Sequence, residues 1–239
     1  MGLFSSKGKK DIFLALDIGT EVVKALVCRI DREASRAEVI GVGRTFQKTG
    51  NMQSGAVSDI AGVIASAREA IVLAKKNAGV KEVKKSIIGI AGELVKGTTT
   101  TVHYDRVNRN IRIGMQELRM IIEKVQEKAF ERIRRQLAWE TGQSDIEVKL
   151  INAALVDVRI DGYRKTNPLN FQGGDVSMSV FNAYAPMVHL GALETIAGEL
   201  GLDLLSIAAE PYAVARAIEV EDMMAVSYTH LTLPTNREV

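Results

Sequence analysis

Residues 14–27 read Leu-Ala-Leu-Asp-Ile-Gly-Thr-Glu-Val-Val-Lys-Ala-Leu-Val, and no other stretch constrains the fold as much. An apolar run enters Asp17-Ile18-Gly19-Thr20, the chain turns at once, and a second apolar run leaves. So short a connection predicts an antiparallel β-hairpin. Its tip carries a carboxylate, a residue without a Cβ and a hydroxyl. Gly19 lets the backbone approach closely and tolerates positive φ. Turn N–H groups can point at anionic oxygens, and Asp17 can hold a hydrated Mg²⁺, which takes oxygen ligands and keeps several waters. Lys24, on the second strand, can reach a phosphate or simply face solvent. The plainer alternative is a hairpin whose Asp and Gly only make the turn.

The 239 residues suffice for one large domain or two ordinary ones, and 46% hydrophobic with 25% charged residues is a globular composition. A net charge of +2 gives no general reason to expect nucleic acid as a partner. The single cysteine, Cys28, sits in an apolar run, so no intrachain disulfide forms and a buried thiol in a reducing cytoplasm is expected. No run approaches the ~20 apolar residues needed to span a bilayer. The run 12–16 is too brief for a signal peptide. Residues 1–6 match a myristoylation pattern, but with Lys7, Lys9 and Lys10 following, 1–10 read as a flexible tail. Residues 226–239 lack any amphipathic period and resemble the translation of a sequencing adapter. The expectation is a chain that leaves its natural sequence near Ala225.

The hairpin strands are followed by a polar turn at 31–37 and a third strand over 38–46. A Gly/Ser/Gln-rich loop at 47–57 leads to Ser58 or Asp59, either of which can cap a helix over about 60–78. Ile60, Val63, Ile64, Ala67, Ile71 and Ala74 form its apolar face, and Gly79 is its stop signal. Residues 86–91 read as a strand buried on both faces. A helix over 188–200, a buried strand over 204–208 and a helix opening at Pro211 and running to about 221 complete the pattern. The sum is an α/β domain, 11–91 with 186–225, built on a mixed five-stranded sheet. Between its halves, 92–185 reads as a small inserted α+β subdomain of order strand–helix–strand–strand: 97–102, 115–139, 147–160 and 175–185. Leu118, Ile122, Val125, Ala129, Ile133 and Leu137 form the inner stripe of the long helix, with Phe130 and Trp139 also read as core. Glu123, Glu127 and Glu131 against Lys124, Lys128 and Arg132 read as a solvated face supported by i,i+4 pairs, with no aromatics interleaved for base stacking.

The hairpin tetrad resembles the first phosphate segment of the actin/sugar-kinase/Hsp70 ATPase superfamily, whose fold is actin-like (RNase H-like). Over 11–222 the chain resembles the bacterial cell-division FtsA family. The resemblance rests on Ile40-Gly41-Val42-Gly43, Gly55-Ala-Val57-Ser-Asp59, Ile160-Asp161-Gly162…Asn167-Pro168…Gly173 and Gly198-Glu-Leu-Gly201…Glu210-Pro211, together with the place of the insertion. It implies a scaffold that binds ATP with Mg²⁺ through Asp17, Gly19, Thr20 and Lys24, Asp17 acting through Mg-bound water. It implies self-assembly into filaments, linkage of the tubulin-like FtsZ ring and later division proteins to the cytoplasmic membrane face, and at most slow ATP turnover. The second phosphate segment, the FtsZ-binding part and the C-terminal membrane helix of that family have no match here. Gly173-Gly174-Asp175 is no substitute, because it lies in the insertion.

Two other readings stand beside this one. A type IV pilus assembly scaffold of the PilM kind shares the hairpin, the insertion and the closing Gly-Leu…Pro segment. A sugar-kinase-like phosphotransferase would need a catalytic carboxylate near the cleft, and Asp145, Asp157, Asp161 and Asp175 are scattered. No catalytic residue and no protein-held metal are expected, since His103 and His189 lack partners at ligand spacing.

Overall fold

The computed structural model describes residues 11–31, 36–142 and 146–217. The expectations for 1–10, for the end of the last helix and for 226–239 fall outside them. The chain forms two compact units. One is the chain up to Glu93 with Val188–Ala208, and the other is Leu94–Met187 with the residues from Ala209.

The first unit holds a five-stranded mixed sheet, β11-β6-β1-β2-β3. β1 (Ile12–Ile18) and β2 (Val22–Asp31) are antiparallel, β2 and β3 (Arg36–Phe46) likewise, and β6 (Lys85–Ile90) runs parallel to β1. Alternation sends Leu14, Leu16, Ile18, Val23, Ala25 and Val27 into the core. That face is covered by α1 (Ile60–Ala78). Asp59 caps the helix, its carboxylate accepting from the Ala61 N–H at 3.0 Å, and Gly79 closes it in the left-handed region. The expected face shifts toward smaller residues: Ser66, Ala67, Ala70 and Ala74 are buried, whereas Ile60 is exposed. The cause lies in β3, where a Cβ on Gly43 would fall 1.9 Å from the Ala70 carbonyl oxygen. The helix therefore rests on bare backbone, with small residues at the contact. At its far end Asn77 donates to the Val42 carbonyl at 2.7 Å.

Two strands are less buried than their sequences suggested. In β6 only Ser86, Ile88 and Ile90 are sealed, while Ile87 and Gly89 are half-buried. β11 (Asp203–Ala209), which follows α3 (Met187–Glu199), is an outer strand, and Leu205 is exposed. A two-residue hairpin, β4 (Met52–Gln53) with β5 (Ala56–Val57), turns through Ser54 and Gly55 at positive φ, as a tight hairpin requires.

The second unit is a four-stranded sheet, β7-β10-β8-β9, from β7 (Lys96–Asp105), β8 (Val148–Ile160), β9 (Tyr163–Arg164) and β10 (Asp175–Pro186). α2 (Met115–Thr141) packs on it, and all six residues of the inner stripe are buried together with Ile121. Trp139 and Phe130 are not core: Trp139 is 87% exposed and Phe130 borders solvent. β8 and β9 join through Asp161-Gly162, both at positive φ. α4 (Glu210–Ala217) begins where the Ala209 N–H donates to the Asn152 side chain at 2.8 Å.

One end of this unit is tied by Arg106. Its buried guanidinium meets both Glu117 oxygens at 2.7 and 2.9 Å and donates to the Gly173 and Ile111 carbonyls, each at 2.9 Å. Beside it the Asp161 carboxylate accepts from the Asp175 and Gly174 N–H groups at 2.8 and 2.9 Å. Those two bonds hold its carboxyl below the usual range. A depressed folded value means stability that is present above the ordinary Asp value and lost as pH falls through the folded one. Asp161→Asn should therefore flatten the acid limb of the stability–pH curve, as measured by urea unfolding from neutral pH downward. An unchanged acid slope would show that these bonds hold the protonated carboxyl as well as the ionised one, so that Asp161 adds nothing to the acid limb.

Candidate functional site

The candidate site builds from the carboxyl ends of β1 and β6, which run parallel. In open α/β sheets that is where ligands bind. Three segments meet there. The first is the β1–β2 turn, where the Gly19 N–H donates to the Val22 carbonyl at 3.2 Å. The second is the Ser54–Gly55 tip, whose Gly55 N–H donates to the Thr20 hydroxyl at 3.2 Å. The third follows β6, because a Cβ on Gly55 would touch both Ala91 and the Glu93 carboxylate.

Strand register places Asp17 directly opposite Lys24. Both side chains lie on the sheet face away from α1, with the ammonium 2.8 Å from the Asp17 carboxylate. They are 38% and 49% exposed, so the pair is open to water and contributes at most about 1 kcal/mol. A ligand could redirect it at small cost: carboxylate toward metal-bound water, ammonium toward phosphate. Gly19 does not use the left-handed region, contrary to one of the two roles expected of it. Its need is space, since a Cβ there would sit 2.8 Å from the Val22 carbonyl oxygen. Lys24 is exposed, as strand alternation allowed, yet it is tied to Asp17. Thr20 is engaged by Gly55.

Two residues of this region escaped the sequence reading. Asn51 is buried and pegs the 47–57 loop: its carbonyl accepts from the Ser58 and Asp59 N–H groups, and its amide donates to Gln47 at 2.9 Å. It thereby sets the entry to α1, and Gly62 leaves room for its side chain. Glu93 adds a second carboxylate. Neither carries a local signal, as only the fold brings 17–24, 51–55 and 93 together. His103, exposed on β7, stands 3.7 Å from the Asp175 carboxylate, and His189, partly buried, is pushed toward the neutral form by desolvation. Among the described residues no three His, Cys, Asp or Glu side chains cluster as a metal would require.

No family model and no curated protein matches the chain. Among solved structures it is similar to a chain of a PilM-PilN type IV pilus biogenesis complex. That match has a TM-score of 0.53 and 15% identity over 88% of this chain and 51% of that one. The two share a fold. At this identity nothing further is shared by demonstration. The cytoplasmic domain of EpsL, an inner membrane component of the type II secretion system of Vibrio cholerae, matches at 12% identity and a TM-score of 0.31, over 82% and 56% of the two chains. The chain thus spans about half the length of these structures. The mixed five-stranded sheet agrees with the expected α/β class and is consistent with an actin-like fold. The comparisons give no support to a division role or to FtsZ as partner. Among the described residues no helix is long and apolar enough to cross a membrane.

The motifs that carried the FtsA resemblance have plain structural duties here. Gly41 and Gly43 admit α1, Gly55 makes a tight turn and Asp59 caps a helix. Asp161 and Gly162 turn a hairpin, and the Asn167 side chain accepts from the Leu169 N–H at 3.0 Å.

Proposed function

We propose that this chain is the first half of an actin-like, nucleotide-responsive scaffold of the PilM kind, serving a membrane-associated assembly such as a type IV pilus base. The observation that carries the reading is the fold shared with the PilM-PilN chain over 88% of this one. The donor set at the β1–β6 end supports it: a carboxylate and an ammonium on adjacent strands, a glycine where no Cβ fits, and a hydroxyl. These suit Mg·ATP. Asp17 would order the metal's water, Lys24 would meet a phosphate, and Gly19 and Thr20 would shape the turn around it. Bound nucleotide supplies an anion whose contacts can bias one conformation over another. A PilN-like protein is the partner this reading names. An FtsA-like division scaffold remains the second reading, favoured only by the order of the sequence motifs.

The test is a thermal-shift titration with Mg·ATP. A ligand that binds only the folded chain adds about 2.7 kcal/mol of stability at a hundredfold excess over its Kd. Asp17→Ala and Lys24→Ala should each weaken the midpoint concentration about tenfold or more, the scale of one charge-assisted contact. A response to Mg·ATP that both variants retain would remove the site assignment. Binding to a PilN-type cytoplasmic segment but not to an FtsZ tail would separate the pilus reading from the division one.

A further inference from the structure

The end of the second unit that Arg106 ties together presents apolar side chains outward, on two loops. The first, 107–114, leads from β7 into α2, and the second, 165–174, leads from β9 to β10. They are bonded to each other. The Ile113 N–H donates to the Phe171 carbonyl at 2.8 Å, the Asn170 N–H to the Ile113 carbonyl at 3.0 Å, and the Gly173 N–H to the Arg109 carbonyl at 3.1 Å. Ile113 and Pro168 are buried and anchor the loops from within. Val107, Ile111 and Phe171, with Tyr163 of β9, are exposed instead, Val107 to 94% and Tyr163 to 73%. The Lys165 ammonium lies 4.8 Å from the centre of the Phe171 ring and 6.0 Å from that of Tyr163, so the second loop and β9 present one surface. These side chains belong to a single fixed tip.

The charges of the tip are sorted as well. Residues 107–116 and 162–174 hold four cations, Arg109, Arg112, Arg164 and Lys165, and no carboxylate. The carboxylates stand behind them: Glu117 on Arg106, Asp161 on two backbone N–H groups, Asp157 on Arg164 at 3.0 Å, and Asp105 opposite Asp175 on β7 and β10. Protruding apolar side chains set among cations fit a surface that is anionic outside and apolar within. We propose that this tip docks the chain on an anionic lipid bilayer. Val107, Ile111, Tyr163 and Phe171 enter the headgroup layer, and Arg112 and Lys165 meet lipid phosphates. Tyrosine favours that depth, where its ring is in an apolar layer and its hydroxyl in a wet one. Each lysine or arginine near such a surface adds to the attraction. Loops already held in place lose little freedom on docking. An acidic polypeptide would answer the cations but would give the four apolar side chains nowhere to go. The tip is separate from the nucleotide site, and the proposal stands without that reading.

Co-sedimentation of the full chain with lipid vesicles tests this. Vesicles of equal parts phosphatidylcholine and phosphatidylglycerol should bind the chain about tenfold or more tighter than vesicles of phosphatidylcholine alone, with two cations at the surface. Raising salt from about 0.1 to about 1 M should weaken that binding, as the Debye length falls from about 10 to about 3 Å. Arg112→Glu should weaken it about tenfold or more, since an attraction becomes a repulsion. V107S/I111S should also weaken it about tenfold or more, at unchanged charge, because two apolar side chains no longer leave water. These positions are exposed, so the unfolding midpoint followed by circular dichroism should stay in place. Lys128→Glu, an equal charge reversal on the exposed face of α2 away from the tip, should leave vesicle binding unchanged. Failure to bind the anionic vesicles would overturn the proposal. So would binding that survives both R112E and V107S/I111S, or that K128E weakens as much as R112E does. Capture by soluble polyglutamate without binding to vesicles would overturn it too, and would make the partner an acidic polypeptide.

Discussion

Arg106→Met should lower the stability of the second unit by about 3–5 kcal/mol, the usual result of removing one partner from a buried ion pair. The guanidinium is 2% exposed and satisfies four acceptors on three separate segments: Glu117 of α2, the Ile111 carbonyl before it and the Gly173 carbonyl before β10. Without it the Glu117 carboxylate and two carbonyls lose their donor in a site water reaches poorly. Each orphaned group adds about 1–3 kcal/mol of desolvation penalty. Glu117→Gln should be milder, because an amide still accepts. The measurement is urea unfolding of Arg106→Met, Glu117→Met and the double variant. A double-mutant coupling below about 0.5 kcal/mol would mean that the two groups stabilise independently.

The second large effect is expected at Gly43. A Cβ there would lie 1.9 Å from the Ala70 carbonyl oxygen and 2.6 Å from the Ala74 nitrogen, and both atoms are helix backbone that cannot swing aside. Gly43→Ala must push α1 off the sheet, with an expected loss of about 3 kcal/mol. Gly41→Ala should act alike, its Cβ falling 2.3 Å from the Ala74 carbonyl oxygen. Gly191→Ala in α3 is the contrast, because a Cβ there meets nothing within 4 Å and its φ is ordinary. It should stabilise by about 0.5–1 kcal/mol through the helix preference for alanine. Equal effects at 43 and 191, read from denaturant midpoints, would show that the close approach of α1 is unimportant.

The elements with long periods or strong punctuation could be read from sequence. The β1–β2 hairpin, α1 with its Asp59 cap and Gly79 stop, and the buried stripe of α2 all follow from local rules. The β4–β5 and β8–β9 hairpins were missed because strands of two residues have no period. Their signal was Gly55 after Ser54 and Gly162 after Asp161, a pairing suited to tight turns. Trp139 was misread for a geometric reason. From Val125 the buried residues step by four, through Ala129 and Ile133 to Leu137. Each such step advances about 40° past a full turn, so the inner stripe winds around the helix and leaves Trp139 outside. Of the candidate site, Asp17, Gly19, Thr20 and Lys24 were legible because one hairpin holds them. Asn51 and Glu93 join them only through the topology.

The close seat of α1 on β3 has a consequence for the company the molecule keeps. β3 ends the sheet, and a terminal strand invites another chain to add itself by backbone pairing. Because glycines let the helix sit so near, Asn77 reaches the Val42 carbonyl and occupies an acceptor that an incoming strand would compete for. Asn77→Ala should leave the unfolding midpoint nearly unmoved and show itself in aggregation on prolonged incubation, where a purely structural hydrogen bond would leave no trace.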